Sequence, residues 1–440
     1  MTAPVSVFWF RRDLRLDDNT GLAAALMSGR PVLPLFIFDT TILSRLEDHD
    51  DARVGFIHDA IEGMQKRLVA QGSTLLVLHG DPLLLFQDLL SQYNIAAVYA
   101  NEDYEPAARA RDESLAARFG EANIGFHLLK DTVLFHKNEI VKDDGRPYSV
   151  FTPYYNRWRK ALSDQPPVAV DCSAQATAFW KNPLLPVPGL SQLGFQKSHK
   201  SIDIAQPERL LIERYHETRD TPAVRGTTRL GVHLRFGTIG IRTVVRSAVD
   251  LNETFLKELA WREFFVQQLW HHPRLAQACF KPEYENIAWR NDEEEFRLWC
   301  EGRTGYPLVD AGMRELASTG FMHNRVRMIA ASFLVKHLLI DWRWGAAWFA
   351  QHLLDYELSS NSGNWQWVAG CGCDAAPYFR IFNPTAQAKR WDAAGTYISQ
   401  WIPEWNSPSY PAPIVDHALA TKRCLEAYKQ GLGSRSRFIK

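Results

Sequence analysis

Five short apolar runs punctuate the first 130 residues: VSVFWF at 5–10, PVLPLFIF at 31–38, TLLVLH at 74–79, IAAVYA at 95–100 and IGFHLL at 124–129. Between them the period changes. Phe56, Ile57, Ala60, Ile61, Met64 and Leu68 recur at helical spacing, and residues 83–93 and 107–119 carry the same signal. Continuous apolar strands alternating with amphipathic helices predict an α/β domain built on a parallel sheet with helices on both faces. Such sheets bind ligands at the carboxyl ends of their strands. No GxGxxG follows the first strand, so the dinucleotide fingerprint is absent.

The rhythm is lost over residues 131–200. KDDGRPYSVFTPYYNRW is followed there by Pro166, Pro167, Pro183, Pro186, Pro188 and Gly189, which reads as a long connector. From about residue 201 β-branched runs vanish. Long amphipathic helices are predicted instead, at 253–270, 307–318, 323–339, 344–354 and, last, around 416–429. The expected organisation is therefore an α/β domain over 1–130, a linker over 131–200 and an all-helical domain over 201–440.

Length and composition sharpen this picture in three places. A chain of 440 residues exceeds one typical core, so two domains are expected. The 50 basic and 50 acidic side chains cancel, so binding to nucleic acid would need a local patch. Twelve of the 15 tryptophans lie after residue 260, so the two halves do different work. The six cysteines (172, 279, 300, 371, 373 and 424) form no CxxC pair, which points to a reducing compartment and no metal site. No apolar run is long enough to span a bilayer, so a cytoplasmic protein without a membrane partner is expected.

Candidate chemistry concentrates in the second half. In the stretch 361–384, NSGNWQWVAGCGCDAAPYFRIFNP, a helix would put Asn361 and Trp365 on one face and turn Trp367 toward a neighbouring surface. In KELAWREFF, Glu258, Trp261 and Phe265 share a helix face, so a carboxyl group sits beside two aromatic planes that suit a heteroaromatic ligand. In FMHNRVRMIAASF, Asn324 and Met328 are one turn apart, with Arg325 and Arg327 on the same helix, a mixture able to meet a base edge and phosphates. RGTTRLG at 225–231 has the hydroxyls, arginines and glycines of a phosphate-gripping loop. Trp289, Trp342 and Trp365 come from three stretches expected to be helical, and on their own they read as core.

These motifs, together with GRTGYPLVDAGMREL and the opening FWFRRDLRLDDN, resemble the photolyase and cryptochrome family. Within it the chain is most similar to bacterial enzymes that repair cyclobutane pyrimidine dimers. The resemblance runs from the first strand to the last helix. It implies an N-terminal α/β antenna domain joined to a helical domain that holds FAD. By position, Tyr215, Thr227, Thr228, Arg229, Leu230 and Gly231 would hold the FAD phosphates and ribityl chain. Arg327, Asp355, Tyr356 and Glu357 would line the flavin, with Asn361 beside N5. Trp289, Trp342 and Trp365, in that inward order, would relay electrons. Glu258, Trp261, Asn324, Met328 and Trp367 would form the dimer pocket, while Arg219, Arg325, Arg380 and Gln387 would contact the DNA strand. The catalytic set so implied is Glu258 and Asn324 with the three relay tryptophans.

The resemblance also frames the alternatives. A cryptochrome-type photoreceptor is disfavoured by the short C-terminus, and repair of (6-4) photoproducts by Asn324 and Met328 where that branch places a histidine pair. Folate-using relatives carry an acidic residue in YExxERAR, whereas this chain reads YEPAARAR with Ala108 there. The second chromophore is accordingly expected to be an 8-hydroxy-deazaflavin before methenyltetrahydrofolate or none. DNA containing pyrimidine dimers is the expected partner and a monomer the expected state.

Overall fold

The computed structural model describes residues 3–202 and 206–433, apart from the side chains of residues 174 and 175. Contacts divide the chain into two compact units. One comprises Met1–Ile140, Arg157–Pro207 and Arg229–Asp250, the other Val141–Asn156, Glu208–Thr228 and Leu251–Lys440.

The first unit is built on five parallel strands, β1 (Val5–Phe10), β2 (Val32–Asp39), β3 (Leu76–Gly80), β4 (Ile95–Asn101) and β5 (Gly125–Leu129), in the order β3-β2-β1-β4-β5. Every residue of β1 and β2 is buried, as their sequences, apolar except for Ser6 and Asp39, require of strands covered on both faces. The edge strands β3 and β5 are mostly exposed or half-buried. The chain reverses direction across the sheet between β1 and β4, the position at which such sheets open a crevice. Beside it Arg11 pairs with Asp112 at 2.7 Å, and Asp131 takes Arg15 at 2.5 Å and Arg242 at 2.7 Å. The pairs with Asp131 tie residues 229–250 to this unit.

The second unit is helical. Its main elements are Glu253–His271, Pro307–Thr319, Asn324–Ser332, Trp342–His352, Leu358–Ala369 and His417–Leu432. Asn252, His323 and Asp341 begin three of them by accepting a hydrogen bond from a first-turn N–H. Among the described residues no helix is long and apolar enough to cross a membrane. All six cysteines are free and buried.

Three local features differ from the sequence reading. The connector contains a 14-residue helix, Phe151–Asp164. Its pattern is masked by Pro153, which a first helical turn tolerates because it needs no N–H there. Trp289 lies outside any helix, between the short turn Pro282–Asn286 and the helix Glu293–Cys300. The helix expected over 323–339 is α-helical only to Ser332. It continues as a π turn, Phe333–His337, and Leu339 then takes a left-handed conformation with φ 54°.

That π turn buries Lys336 to 1% exposure. Its ammonium donates to the Ala369 carbonyl at 3.2 Å and lies 3.9 Å from the centre of the Tyr428 ring. Burial lowers its pKa from 10.5 to about 8, against weak opposition from Cys424 and Cys371. A depressed lysine pKa means that folding disfavours the ammonium form. The penalty is present in full below pH 8 and fades as pH rises toward 10.5, and it amounts to about 3 kcal/mol. Lys336→Met is therefore expected to raise unfolding stability in urea by about 2–3 kcal/mol at pH 7. The gain should shrink to nothing near the unfolded-state pKa, and a constant gain at all pH values would assign the effect to packing instead.

Candidate functional site

Four helices, the loop between the last two of them and Arg219 converge on a cavity of about 350 Å³ in the helical unit. The Glu253–His271 helix contributes Glu258, Trp261, Arg262 and Phe265, at i, i+3, i+4 and i+7. Asn324, Arg327, Met328 and Ala331 come from the Asn324–Ser332 helix with the same spacing. Leu358–Ala369 supplies Asn361, Trp365 and Trp367, and the loop before it Asp355, Tyr356 and Glu357. Trp367 lines the same cavity as Asn361 and Trp365. Trp365 is buried to 2% exposure and Trp367 is half-buried.

Glycines bring the helices close enough to form these walls. A Cβ on Gly345 would stand 2.6 Å from both Trp365 Cζ3 and Leu334 Cδ2, and one on Gly363 2.9 Å from Phe265 Cγ. Neither glycine has a positive φ, so it is close approach rather than backbone strain that requires them.

Charges at the cavity are paired. Arg219 Nη1 lies 2.5 Å from Glu258 Oε1. Burial raises the Glu258 pKa, the Arg219 cation and its hydrogen bond oppose the rise, and Asp220 adds to it. Burial wins, and the carboxyl group holds a proton more readily than an ordinary glutamic acid. Arg262 pairs with Glu357 at 2.8 Å. Arg327 grips both oxygens of Asp355, at 3.1 and 2.9 Å, and also donates to the Met322 carbonyl at 2.7 Å. Asn361 Nδ2 donates to the Ala346 carbonyl at 3.0 Å, which leaves Oδ1 as the acceptor it can present.

Other candidates from the sequence lie outside this cavity. Tyr215 packs edge-on against Phe255 at 5.2 Å, with the Arg219 guanidinium 5.2 Å from its ring centre. In the 225–231 loop, Thr227 and Thr228 are half-buried, Arg229 is exposed with φ 52°, Leu230 is buried, and Gly231 opens a six-residue helix. Arg325 pairs with Asp220 at 2.6 Å and lies over the Trp391 ring, which Gln387 holds through its indole N–H at 3.0 Å. Arg380 is exposed. Trp289 is half-buried with its edge on Tyr428 at 5.9 Å, whereas Trp342 is 1% exposed. Sequence reasoning missed Arg262, Phe349 and Leu353, which also line the cavity. Arg262 sits one turn after Glu258 within a motif already singled out, a signal that was available. Phe349 and Leu353 carried none beyond helical spacing.

The DNA photolyase pattern matches residues 6–171, and that of the FAD binding domain of DNA photolyase matches residues 255–409. The chain belongs to the photolyase and cryptochrome family. A deoxyribodipyrimidine photo-lyase of Synechococcus sp. is 40% identical, over 98% of this chain and 97% of the relative. One from Halobacterium salinarum is 35% identical over 98% and 100%. Among solved structures, a class III photolyase from Agrobacterium tumefaciens superposes with a TM-score of 0.85 at 32% identity, covering 98% of both chains. A Synechocystis cryptochrome superposes with 0.83 at 26% identity, covering 97% of this chain and 99% of that one. All the lining residues of the cavity of this photolyase-family chain except Arg219 fall within the stretch matched by the FAD binding domain, and they suit a flavin. Phe349 and Trp365 offer aromatic surface, the Arg327–Asp355 pair a polar edge, and Asn361 Oδ1 an acceptor for a ring N–H.

Proposed function

We propose that the protein is a light-driven lyase that splits cyclobutane pyrimidine dimers in DNA. The observation that carries this reading is the meeting of Glu258, Trp261, Asn324, Met328 and Trp367 with Asn361 in one cavity. Bound FAD in its reduced form would supply, on absorbing blue light, one electron that returns when the cyclobutane bonds have split.

The chain's own residues bind, orient and protect. A dimer pairs and stacks poorly, so extruding it into the cavity costs less than extruding an intact base. Trp261 and Trp367 offer planes for stacking, and Met328 an adaptable apolar contact. Asn324 can donate to and accept from a base edge. Glu258, whose affinity for a proton is raised by burial against the pull of Arg219, would in its protonated form donate a hydrogen bond to the dimer carbonyl on which negative charge develops. Arg219 turns its charge inward on Glu258 until DNA arrives, when phosphate can compete for it. For reloading with electrons, burial grades from half-buried Trp289 to Trp342 and Trp365. Among the described residues no side chain or carbonyl accepts from the buried indole N–H of Trp342. Arg325, Arg380 and Gln387 would meet the strand around the lesion. The phosphates of FAD would fall to the 227–231 loop and Tyr215.

The second chromophore is proposed to be an 8-hydroxy-deazaflavin, since Ala108 on the Pro106–Glu121 helix offers folate no carboxylate. The protein would act as a monomer on chromosomal DNA in the cytoplasm.

An ultraviolet-irradiated thymine oligonucleotide mixed with the reduced, FAD-loaded protein provides the test. Thymine absorbance should recover in blue light and stay flat in darkness. No recovery with FAD bound would sink the reading and favour signalling or (6-4) lesions.

A further inference from the structure

The stretch YSVFTPYYN at 148–156, which looked like part of a connector, clamps the helix that carries Trp261. The Tyr148 carbonyl accepts from Gln268 Nε2 at 2.6 Å, and the Tyr155 hydroxyl donates to Glu253. The Lys257 ammonium lies 5.4 Å from the centre of the Tyr155 ring, and Tyr154 packs on Phe264 at 5.1 Å. Between these tethers the Phe151 ring lies flat on the Trp261 indole, with centroids 3.6 Å apart and planes 7° from parallel. Phe151 is itself pinned: it is 7% exposed, and its N–H donates to Asp374 Oδ2 at 3.0 Å. Asp374 belongs to the same sequence motif as Asn361, Trp365 and Trp367. Trp261 lines the cavity and Phe151 does not.

We propose that Phe151 is a positioning residue that fixes the plane of Trp261 and thereby sets the affinity for an extruded pyrimidine dimer without touching it. The inference rests on Trp261 forming a wall of the dimer pocket. A half-buried indole at a cavity edge has two torsions free to vary, and ordering it only when the lesion arrives subtracts from binding. A ring already stacked on one face has lost that freedom in advance. Ordering one side chain in this way is worth about 2- to 12-fold in affinity. The tethers at Tyr148, Tyr154 and Tyr155 matter because a loose Phe151 would order nothing.

The test is binding of a fluorescent, dimer-containing oligonucleotide to FAD-loaded protein in the dark, for wild type, Phe151→Ala, Phe151→Leu, Phe151→Tyr, Trp261→Ala and the Phe151→Ala/Trp261→Ala double variant. Phe151→Ala should weaken dimer binding about 3- to 10-fold, within the range above, while leaving affinity for undamaged DNA and FAD content unchanged. Phe151→Tyr should restore dimer binding and Phe151→Leu should not, because leucine fills volume without presenting a plane. In the Trp261→Ala background the second substitution should do nothing more, since the ring it positions is gone. Wild-type affinity in Phe151→Ala, rescue by leucine, or additive losses in the double variant would each overturn the proposal. If Phe151→Ala fails to fold, the contrast between leucine and tyrosine decides. Wild-type dimer affinity in Trp261→Ala would instead overturn the pocket reading beneath it, an outcome that the Phe151 variants alone cannot imitate.

Discussion

Gly345→Ala is expected to cost this protein most of its bound flavin while leaving it folded. Two effects oppose each other at this position. Alanine in a helix interior is favoured over glycine by about 1 kcal/mol. Against that, the added methyl would stand 2.6 Å from a Trp365 ring carbon and from Leu334, and closer still to a second Trp365 carbon. Overpacking of this kind costs about 1–3 kcal/mol. Leu334 is fully buried and has nowhere to retreat, so Trp365 yields, and the open side available to it is the cavity. Much of the cost therefore falls on the ligand rather than the fold. FAD affinity should drop at least tenfold, about 1.4 kcal/mol, while the urea midpoint moves little. Reconstitution with FAD followed by flavin absorbance, beside a denaturation curve, checks both. A variant that unfolds earlier yet binds FAD normally would refute the assignment of strain to Trp365.

Arg327→Met is expected to weaken FAD binding by about 10- to 100-fold, roughly 1.4–2.7 kcal/mol. Arg327 is held in place by the Met322 carbonyl and both oxygens of Asp355, so its guanidinium is preorganised along the cavity edge. Its removal leaves the Asp355 carboxylate facing the cavity without its cation, an unpaired charge that a ligand bound there would have to cover. The side chains are about a fifth exposed, so water softens the loss well below that of a buried pair. Asp355→Asn in the same background should recover part of the affinity by removing the stranded charge. If the double variant binds FAD no better than Arg327→Met, Asp355 is not the source of the loss.

How much of this was legible follows from the range of each interaction. The central strands announced themselves because a parallel strand buried on both faces is a run of mostly apolar residues, the edge strands β3 and β5 showed as shorter apolar runs, and each of the five lies within two residues of its observed position. The helix Thr20–Leu26 did not, since TGLAAAL is too short and small to show a stripe. The π turn at Phe333–His337 keeps the apolar pattern of an α-helix while altering its hydrogen bonds, and pattern alone cannot reveal it. Cavity residues spaced three, four and seven apart on one helix could be grouped from sequence. The pairs Arg219–Glu258, Arg327–Asp355 and Arg262–Glu357 are 28 to 95 residues apart, and only the tertiary fold selects those partners. The proton affinity of Glu258 was legible as a requirement of the chemistry, but its cause, burial outweighing Arg219, needed three dimensions.

One carbonyl joins the end of the Leu358–Ala369 helix to the helix His417–Leu432. Ala369, the last residue of Leu358–Ala369, accepts from Lys336 at 3.2 Å and from the Tyr428 hydroxyl at 2.9 Å. The partial negative charge of a helix C-terminus is what makes so buried a cation tolerable there. Tyr428 closes the arrangement from the final helix, together with Cys424, over Ile287 and Leu339. Shortening the protein from this side therefore has a definite limit for anyone engineering a fusion: a cut before Tyr428 would open the lysine to water and loosen the anchor of the helix that bears Asn361.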